Sequence, residues 1–293
     1  MLARTLAMVN PIRKAGCLII GDEVLNGKIL DTNSHVFAKF CFNELSIPVK
    51  KTIVCGDDCD DITNSLNTLI HDDCDFIVTS GGIGPTHDDI TYESIAHAFG
   101  VECKRDQQTV DRMHSLRTEY LTTLTDRRLA AFYRMATFPV ASDTVSVDKI
   151  YTDDSLWVPV VGINSQVYIL PGVPQLFEKL LLGLKDSLKR RVDVDSRLKR
   201  FYVKTTTKES ELAPFLADLQ SSSNATYGAG SVKLGSYPHF AWGVNTISVI
   251  GDKHVSVEAL RVIVADVVGN LGGEAREISV EEEETMTTTS PQK

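Results

Sequence analysis

At 293 residues the chain is long enough to bury roughly three quarters of the surface its unfolded form would expose, which fits one large domain or two unequal ones. Its 39 acidic and 30 basic residues give a net charge of −9, and the acids cluster around positions 57 to 61, 72 to 75, 88 to 89 and 281 to 284. That pattern excludes a broad phosphate-tracking surface, and no apolar run approaches the roughly 20 residues of a membrane helix, so neither a nucleic-acid nor a membrane partner is expected.

Residues 1–14 read as a flexible N-terminus without a secretory h-region. The expected compartment is the cytoplasm; Arg4, Arg13 and Lys14, with no acid among them, make a mitochondrial presequence the alternative. "CLII" (17–20), "VKKTIV" (49–54) and "DFIVTS" (75–80) are short runs rich in apolar and β-branched residues, each stopped by glycine, and read as strands. Between them, Val36, Phe37, Phe40 and Cys41 lie on one helical face behind an Asp31 or Thr32 cap, and Ile62, Leu66, Leu69 and Ile70 recur at helical spacing. The order β-α-β-α-β, with another helix after Thr91, predicts right-handed crossovers and a parallel sheet covered by helices: an α/β three-layer sandwich. Residues 104–136 read as one or two surface helices, and "SQVYILPGVP" (165–174) as the last strand of a domain spanning 15–194. The cysteines lack paired C-x-x-C spacing and read as buried free thiols.

After "QLFEKLLLGLKDSLKRRV" the pattern changes. "RFYVKTTT", a short helix "SELAPFLADL", strands "VKLGSY" and "VNTISVI", and a long helix closed by Gly272 predict a small α+β domain of βαββα type over 195–275. Residues 276–293 read as a disordered tail.

All three early strands run into acidic loops: "GDE" with Gly21, Asp22 and Glu23, "GDD" with Asp57 and Asp58, and "SGGIGPTHDD" with Ser80, Gly81, Gly82, Gly84, Pro85, Thr86, Asp88 and Asp89. In an open parallel sheet these loops share the rim where ligands bind, and like charges there repel unless a cation screens them. Mg2+ is the first expectation, since it takes one or two carboxylates plus substrate phosphate oxygens; Mn2+, Co2+ and K+ are the alternatives. The glycines would let backbone N–H groups approach a phosphate at a helix start, although no P-loop Gly-Lys-Ser/Thr ending is present. Simpler roles stand beside these. On its own, Asp89 or Thr91 reads as a helix N-cap, Asp57 as a turn residue, Asp60 and Asp61 as caps of the second helix, and His87 as a solvated loop residue. Trp157, Trp242 and the aromatics of "GSYPHFAWG" read as packing residues.

Together, "LIIGDEVLNGKILDTNS", "IVCGDDCDDI", "VTSGGIGPTHDDITYES" and "LPGVP" resemble the MoaB/Mog-type molybdopterin-binding domain, in the version shared by the bacterial CinA proteins and the amino-terminal half of eukaryotic FAD synthase. The carboxy-terminal part resembles the small KH-like domain of the same proteins, without a GxxG loop. Two departures stand out: the bacterial Asn-x-x-Gly-x-Ala-Pro-Gly segment is replaced by "YTDDSLWVPVVGI", and Leu176 stands where a glutamate often follows "LPGxPx". The resemblance implies a nucleotide or pterin ligand, a homo-oligomer, and one of two chemistries at a phosphoanhydride. These are metal-dependent hydrolysis of FAD, ADP-ribose or a related dinucleotide, and adenylylation of molybdopterin; a non-catalytic ligand-binding subunit is the third alternative. It further implies Asp57 and Asp89 as the catalytic pair and the glycine turn as the ligand loop. The expected metal ligands are Asp57, Asp88 and Asp89. The expected substrate contacts are Gly21, Asp22, Glu23, Ser80, Gly81, Gly82, Gly84, Pro85 and Thr86, with Pro171 and Gly172.

Overall fold

A computed structural model describes residues 10–271 and 274–289, which divide into two compact units between Asp193 and Val194. In the first unit, the fully buried run Ala15–Ile20 forms β1, followed by the single-turn α1 (Asp22–Leu25) and α2 (Asn33–Lys39), which continues as a wider turn through Leu45. Then come β2 (Val49–Cys55), α3 (Cys59–His71), β3 (Phe76–Ser80) and α4 (Thr91–Ala98). A two-stranded ribbon of β4 (Cys103–Arg105) and β5 (Thr137–Pro139) brackets α5 (Gln107–Thr122) and α6 (Asp126–Phe132). The unit closes with β6 (Val147–Ile150), β7 (Val160–Ile163), β8 (Val167–Leu170), α7 (Pro174–Gly183) and α8 (Lys185–Lys189).

The main sheet runs β2-β1-β3-β8-β7-β6, parallel from β2 to β8 and antiparallel beyond. The chain steps outward from β1 to β2 and back across β1 to β3, so right-handed crossovers place α2 and α3 on opposite faces. Phe37 of α2 packs against Phe76 of β3 with ring centroids 5.5 Å apart, while Ile62, Leu66 and Leu69 of α3 are fully buried. Burying such a side chain stabilises by about 1.5–3 kcal/mol, which is why the two apolar helix stripes fix the layers. β2 is the outer strand and carries exposed Lys50 and Lys51, which discourage edge pairing.

The sequence reading missed β6 and β7. β7 pairs back on β8 through a tight turn at Asn164 and Ser165, both at φ +52°. The N-terminal segment also differs from expectation where it is described: Ile12 is fully buried, pairs with Val192, and donates its N–H to the Arg191 carbonyl at 2.8 Å. Residues 1–9, with Arg4, lie outside the described residues. At the helix starts, Asp58 rather than Asp60 or Asp61 caps α3, accepting the N–H groups of both.

The second unit has a sheet in the order β10-β11-β9-β12, built from β9 (Lys199–Thr205), β10 (Val232–His239), β11 (Val244–Gly251) and β12 (Arg276–Ile278), all antiparallel. The helices are α9 (Glu209–Tyr227), α10 (Val257–Asn270) and α11 (Val280–Thr288). Two expectations are corrected. The short helix "SELAPFLADL" extends to Tyr227, because Gln220 ties it to the Val232 carbonyl and the Leu234 N–H. The expected disordered tail forms β12 and α11: Ser279 caps the helix, Met286 is buried against Tyr202 and Ile278, and Trp242 donates to the Thr289 carbonyl. Residues 290–293 lie outside the described residues, as does Gly272, the expected stop of α10. Phe240, expected to pack, is 91% exposed. No described helix is long and apolar enough to cross a membrane.

Candidate small-molecule site

In an open sheet whose order reverses next to its first strand, the crevice beyond the carboxyl ends of β1 and β3 is where ligands sit. A cavity of about 530 Å³ opens there, within the range usual for small-molecule sites of roughly 300–1,000 Å³. Ile19 and Ile20 end β1 at its floor, Ser80 ends β3, Gly81 to Pro85 form one side, and Pro171 and Gly172 arrive from the end of β8. The opposite walls are apolar: Ile29 and Leu30 from the loop before α2, Met135 from the turn after α6, Trp157, and Leu176 of α7. Trp157, expected only to pack, therefore also faces the cavity.

The glycine turn is held by an anion of its own. Asp89 Oδ1 accepts the Gly84 N–H at 2.7 Å, and Oδ2 accepts the Thr86 N–H at 2.9 Å together with the Thr86 hydroxyl. Neither Asp89 nor Thr91 caps α4; Thr91 Oγ1 instead donates to the Gly81 carbonyl at 2.9 Å. The glycines serve close packing. Gly81, at φ +110°, would bring a Cβ to 2.0 Å from the Ile20 carbonyl oxygen, and Gly82, at φ +62°, would bring one to 2.3 Å from Thr91 Oγ1. Arg134, which the sequence reading passed over, clamps the turn from outside by donating to the carbonyls of Thr86 at 2.9 Å and Asp89 at 3.2 Å.

A phosphate would have to compete with Asp89 for the Gly84 and Thr86 N–H groups, so in this arrangement the Asp89 carboxylate shapes the loop. Among the described residues no three His, Cys, Asp or Glu side chains form a metal-holding group, so Asp57, Asp88 and Asp89 do not make a joint cage.

The acidic loops nonetheless converge electrostatically on Asp57. Its Oδ2 accepts the Asp22 N–H at 3.0 Å, tying the first strand-end loop to the second. Burial raises the Asp57 carboxyl above its ordinary range, and the charges of Glu23, Asp22 and Asp88 raise it further against the pull of that hydrogen bond. A carboxylate in a negative field, with no ion pair to a basic side chain among the described residues, suits a cation that brings its remaining ligands with it. Mg2+, with one protein carboxylate plus phosphate oxygens and water, has that requirement; an all-protein site does not. His87 is 97% exposed and lies 3.9 Å from Asp88, as a solvated loop residue would.

Of the expected contacts, Glu23, Ser80, Gly81, Gly82, Gly84, Pro85, Pro171 and Gly172 line the cavity, as does Asp89. Gly21, Asp22, Asp57, Thr86 and Asp88 do not; Asp57, Asp22 and Asp88 belong to the acidic rim, and Glu23 is common to both. Asn33, which the sequence pattern does not single out, opens α2 on the cavity wall at 5% exposure. Its Nδ2 donates to Ser80 Oγ and to the Gly172 carbonyl, both at 2.9 Å, while its Oδ1 is buried with no donor among the described residues. Such an unmet acceptor costs about 1–3 kcal/mol in a fold that leaves it so.

A ligand-sized cavity at the switch point of a doubly wound sheet, mostly apolar and bordered by carboxylates, defines a small-molecule-binding α/β protein. Residues 16–190 match the family described as "Probable molybdopterin binding domain", and the chain belongs to that family. It is 33% identical over 244 residues to a "Probable FAD synthase" of Caenorhabditis elegans, an alignment that covers 78% of this chain and 44% of that one. With a "CinA-like protein" of Myxococcus xanthus it shares 36% identity over 186 residues, 63% of this chain and 42% of the relative. The chain thus spans less than half the length of these two relatives. Among solved structures, the protein CinA of unknown function from Thermoplasma acidophilum matches 60% of this chain and 98% of its own, at 26% identity and a TM-score of 0.51.

Proposed function

We propose that the first unit binds a nucleotide-linked ring compound and, with a divalent cation, cleaves the phosphoanhydride of FAD, ADP-ribose or a related dinucleotide. The observation that carries this reading is the adjacency, through Glu23, of two unlike surfaces: an apolar cavity suited to a ring and an acidic rim centred on Asp57. A relative named as a probable FAD synthase supports the ligand class.

Asp57 would hold the cation, whose chemistry is to offset charge on the bridging phosphates. Glu23 adjoins both surfaces and takes the proton of the attacking water. The water oxygen bonds to one phosphorus, the bridging P–O bond breaks, and its electron pair leaves with the other phosphate, giving two monophosphates. The glycine turn, fixed by Asp89 and Arg134, supplies a rigid wall against which the substrate is oriented.

The test is incubation of the full chain with FAD or ADP-ribose and Mg2+, Mn2+ or Co2+, with release of AMP as the readout. AMP that depends on metal and disappears in Asp57→Asn supports the reading; no AMP with any of the three metals overturns it. The family description of residues 16–190 favours a second reading, a molybdopterin-binding or adenylylating protein. Pterin fluorescence that copurifies with the chain, or ATP-dependent adenylylation of molybdopterin, would select it. We propose a homo-oligomer in either case, to be checked by light scattering.

A further inference from the structure

We propose that Asn26 and Gly27 form a spontaneous modification site, at which the Asn26 side-chain amide is lost to give aspartate or isoaspartate in the loop leading to one wall of the cavity. This is the chain's only Asn-Gly pair. Both residues are exposed, and a Cβ built on Gly27 would meet nothing within 4 Å, so no neighbouring group screens the peptide between them. Asn26 Oδ1 accepts the Lys28 N–H at 3.0 Å. The side-chain carbonyl is thereby folded back alongside the Gly27 backbone and polarised by a donor.

The step needs only water. The Gly27 nitrogen gives its proton to a solvent base and bonds to Asn26 Cγ, while the Cγ–Nδ2 bond breaks and the amide nitrogen leaves with a proton as ammonia. The five-membered imide so formed then takes up one water. Cleavage of its Cγ–N bond leaves an aspartate, and cleavage of its backbone C–N bond leaves an isoaspartate whose chain runs through Cγ. Two features oppose the attack: the Gly27 N–H donates to the Val24 carbonyl at 3.2 Å, and the Asn26 ψ of 2° must swing towards extended values. Both belong to the end of α1, a single turn with no buried residue, so local opening there costs little.

The consequence falls close by. Ile29 donates its N–H to the Glu23 carbonyl at 3.0 Å, closing the loop that contains Asn26, and Ile29 and Leu30 then enter the cavity wall. An aspartate at position 26 adds a charge near Asp22 and Glu23 but keeps an oxygen for the Lys28 N–H. An isoaspartate puts an extra backbone carbon inside the closed loop and uses up the side chain that made the turn. The proposal stands on this loop and is independent of the reaction proposed for the cavity.

The full chain is incubated in mildly alkaline buffer and cut after lysine in mildly acidic solution, and peptide 15–28 is followed by mass spectrometry beside a free peptide of residues 22–30. Asn26 should lose its amide before any other Asn of the chain, faster at higher pH, and the aged chain should accept methyl groups from a protein L-isoaspartate methyltransferase. Asn26→Gln should keep its amide and accept none. Hydrogen exchange at Ile29 should quicken in the aged, more acidic fraction and stay as in fresh wild type for Asn26→Asp, which carries the charge on an ordinary backbone. An amide that persists at Asn26 in the folded chain while the free peptide loses its own overturns the site, as does loss that begins at another Asn. Unchanged exchange at Ile29 in a fraction that accepts methyl groups overturns the effect on the wall.

Discussion

The Asp89 carboxylate accepts the Gly84 N–H at 2.7 Å and the Thr86 N–H at 2.9 Å, filling from within the chain the position a bound anion takes in a phosphate loop. Removing it in Asp89→Ala should cost about 1 kcal/mol, as loss of a side-chain cap does, and speed hydrogen exchange at Gly84 and Thr86. Asp89→Asn keeps one acceptor and should lose less. Normal exchange protection with AMP release abolished in Asp89→Asn would instead make Asp89 a catalytic group.

Because burial and neighbouring carboxylates raise the Asp57 carboxyl above its unfolded value, the folded chain takes up that proton first as the pH falls. The group's contribution therefore favours the folded state in acid and is lost as the pH rises through the raised pKa. Asp57→Asn retains an oxygen for the Asp22 N–H and removes the charge. Without added metal, its Tm at neutral pH should exceed that of wild type, and the gap should close below about pH 4, where both side chains are neutral. Added Mg2+ should raise the Tm of wild type only. A lower Tm for the variant at neutral pH would contradict the electrostatic account of the rim.

Not every glycine of the turn should matter equally. In Gly81→Ala the new Cβ meets the backbone oxygen of Ile20 at 2.0 Å with φ at +110°, so the strand end itself must move, and a loss of about 2 kcal/mol or more is expected by denaturant melts. Gly84→Ala meets the Asp89 carboxylate at 2.6 Å, a side chain that can swing away. Its stability cost should be smaller and should come with the loss of turn protection seen in Asp89→Ala. Equal costs would mean that backbone crowding is not what selects glycine at position 81.

Of the two tryptophans, Trp157 lines the cavity and Trp242 lies in the second unit. A ring ligand should quench the emission of Trp157 on binding, and Trp157→Phe should abolish most of that quenching while binding persists. Quenching that survives in Trp157→Phe and vanishes in Trp242→Phe would place the ligand in the second unit.

The parallel half of the sheet was legible because β1 and β3 are short runs rich in apolar and β-branched residues that stop at Gly21 and Gly81, and the helices flanking β2 carry apolar residues at regular spacing. β7 was not: "VPVVGI" is short, interrupted by Pro159 and Gly162, and its pairing with β8 depends on two non-glycine residues adopting positive φ. In α9, "QSSSNATY" reads locally as a turn, yet Ser221 and Thr226 return their hydroxyls to the carbonyls four residues back while Gln220 anchors the helix to β10. Tertiary contact overrides propensity there. For the site, acids at three strand ends could be placed on one rim from topology alone. The apolar walls come from separate segments, Ile29, Met135, Trp157 and Leu176, with no common spacing. The unmet oxygen of Asn33 is a property of its partners' geometry and has no signature in a string of letters.

The pairing of Ile12 with Val192, closed by the Asp193 N–H on the Ile12 carbonyl at 3.0 Å, has a consequence for how this unit can be built into larger chains. Its entrance and exit lie side by side, so the polypeptide can leave a host protein's loop, complete the whole sheet and return to the same spot with little closure entropy. By the same reasoning, a circular permutant that joins these ends through a few residues and opens the exposed stretch at Ala141–Thr144 should still fold. The first unit is thus a cassette, transferable between architectures without cutting through its cavity.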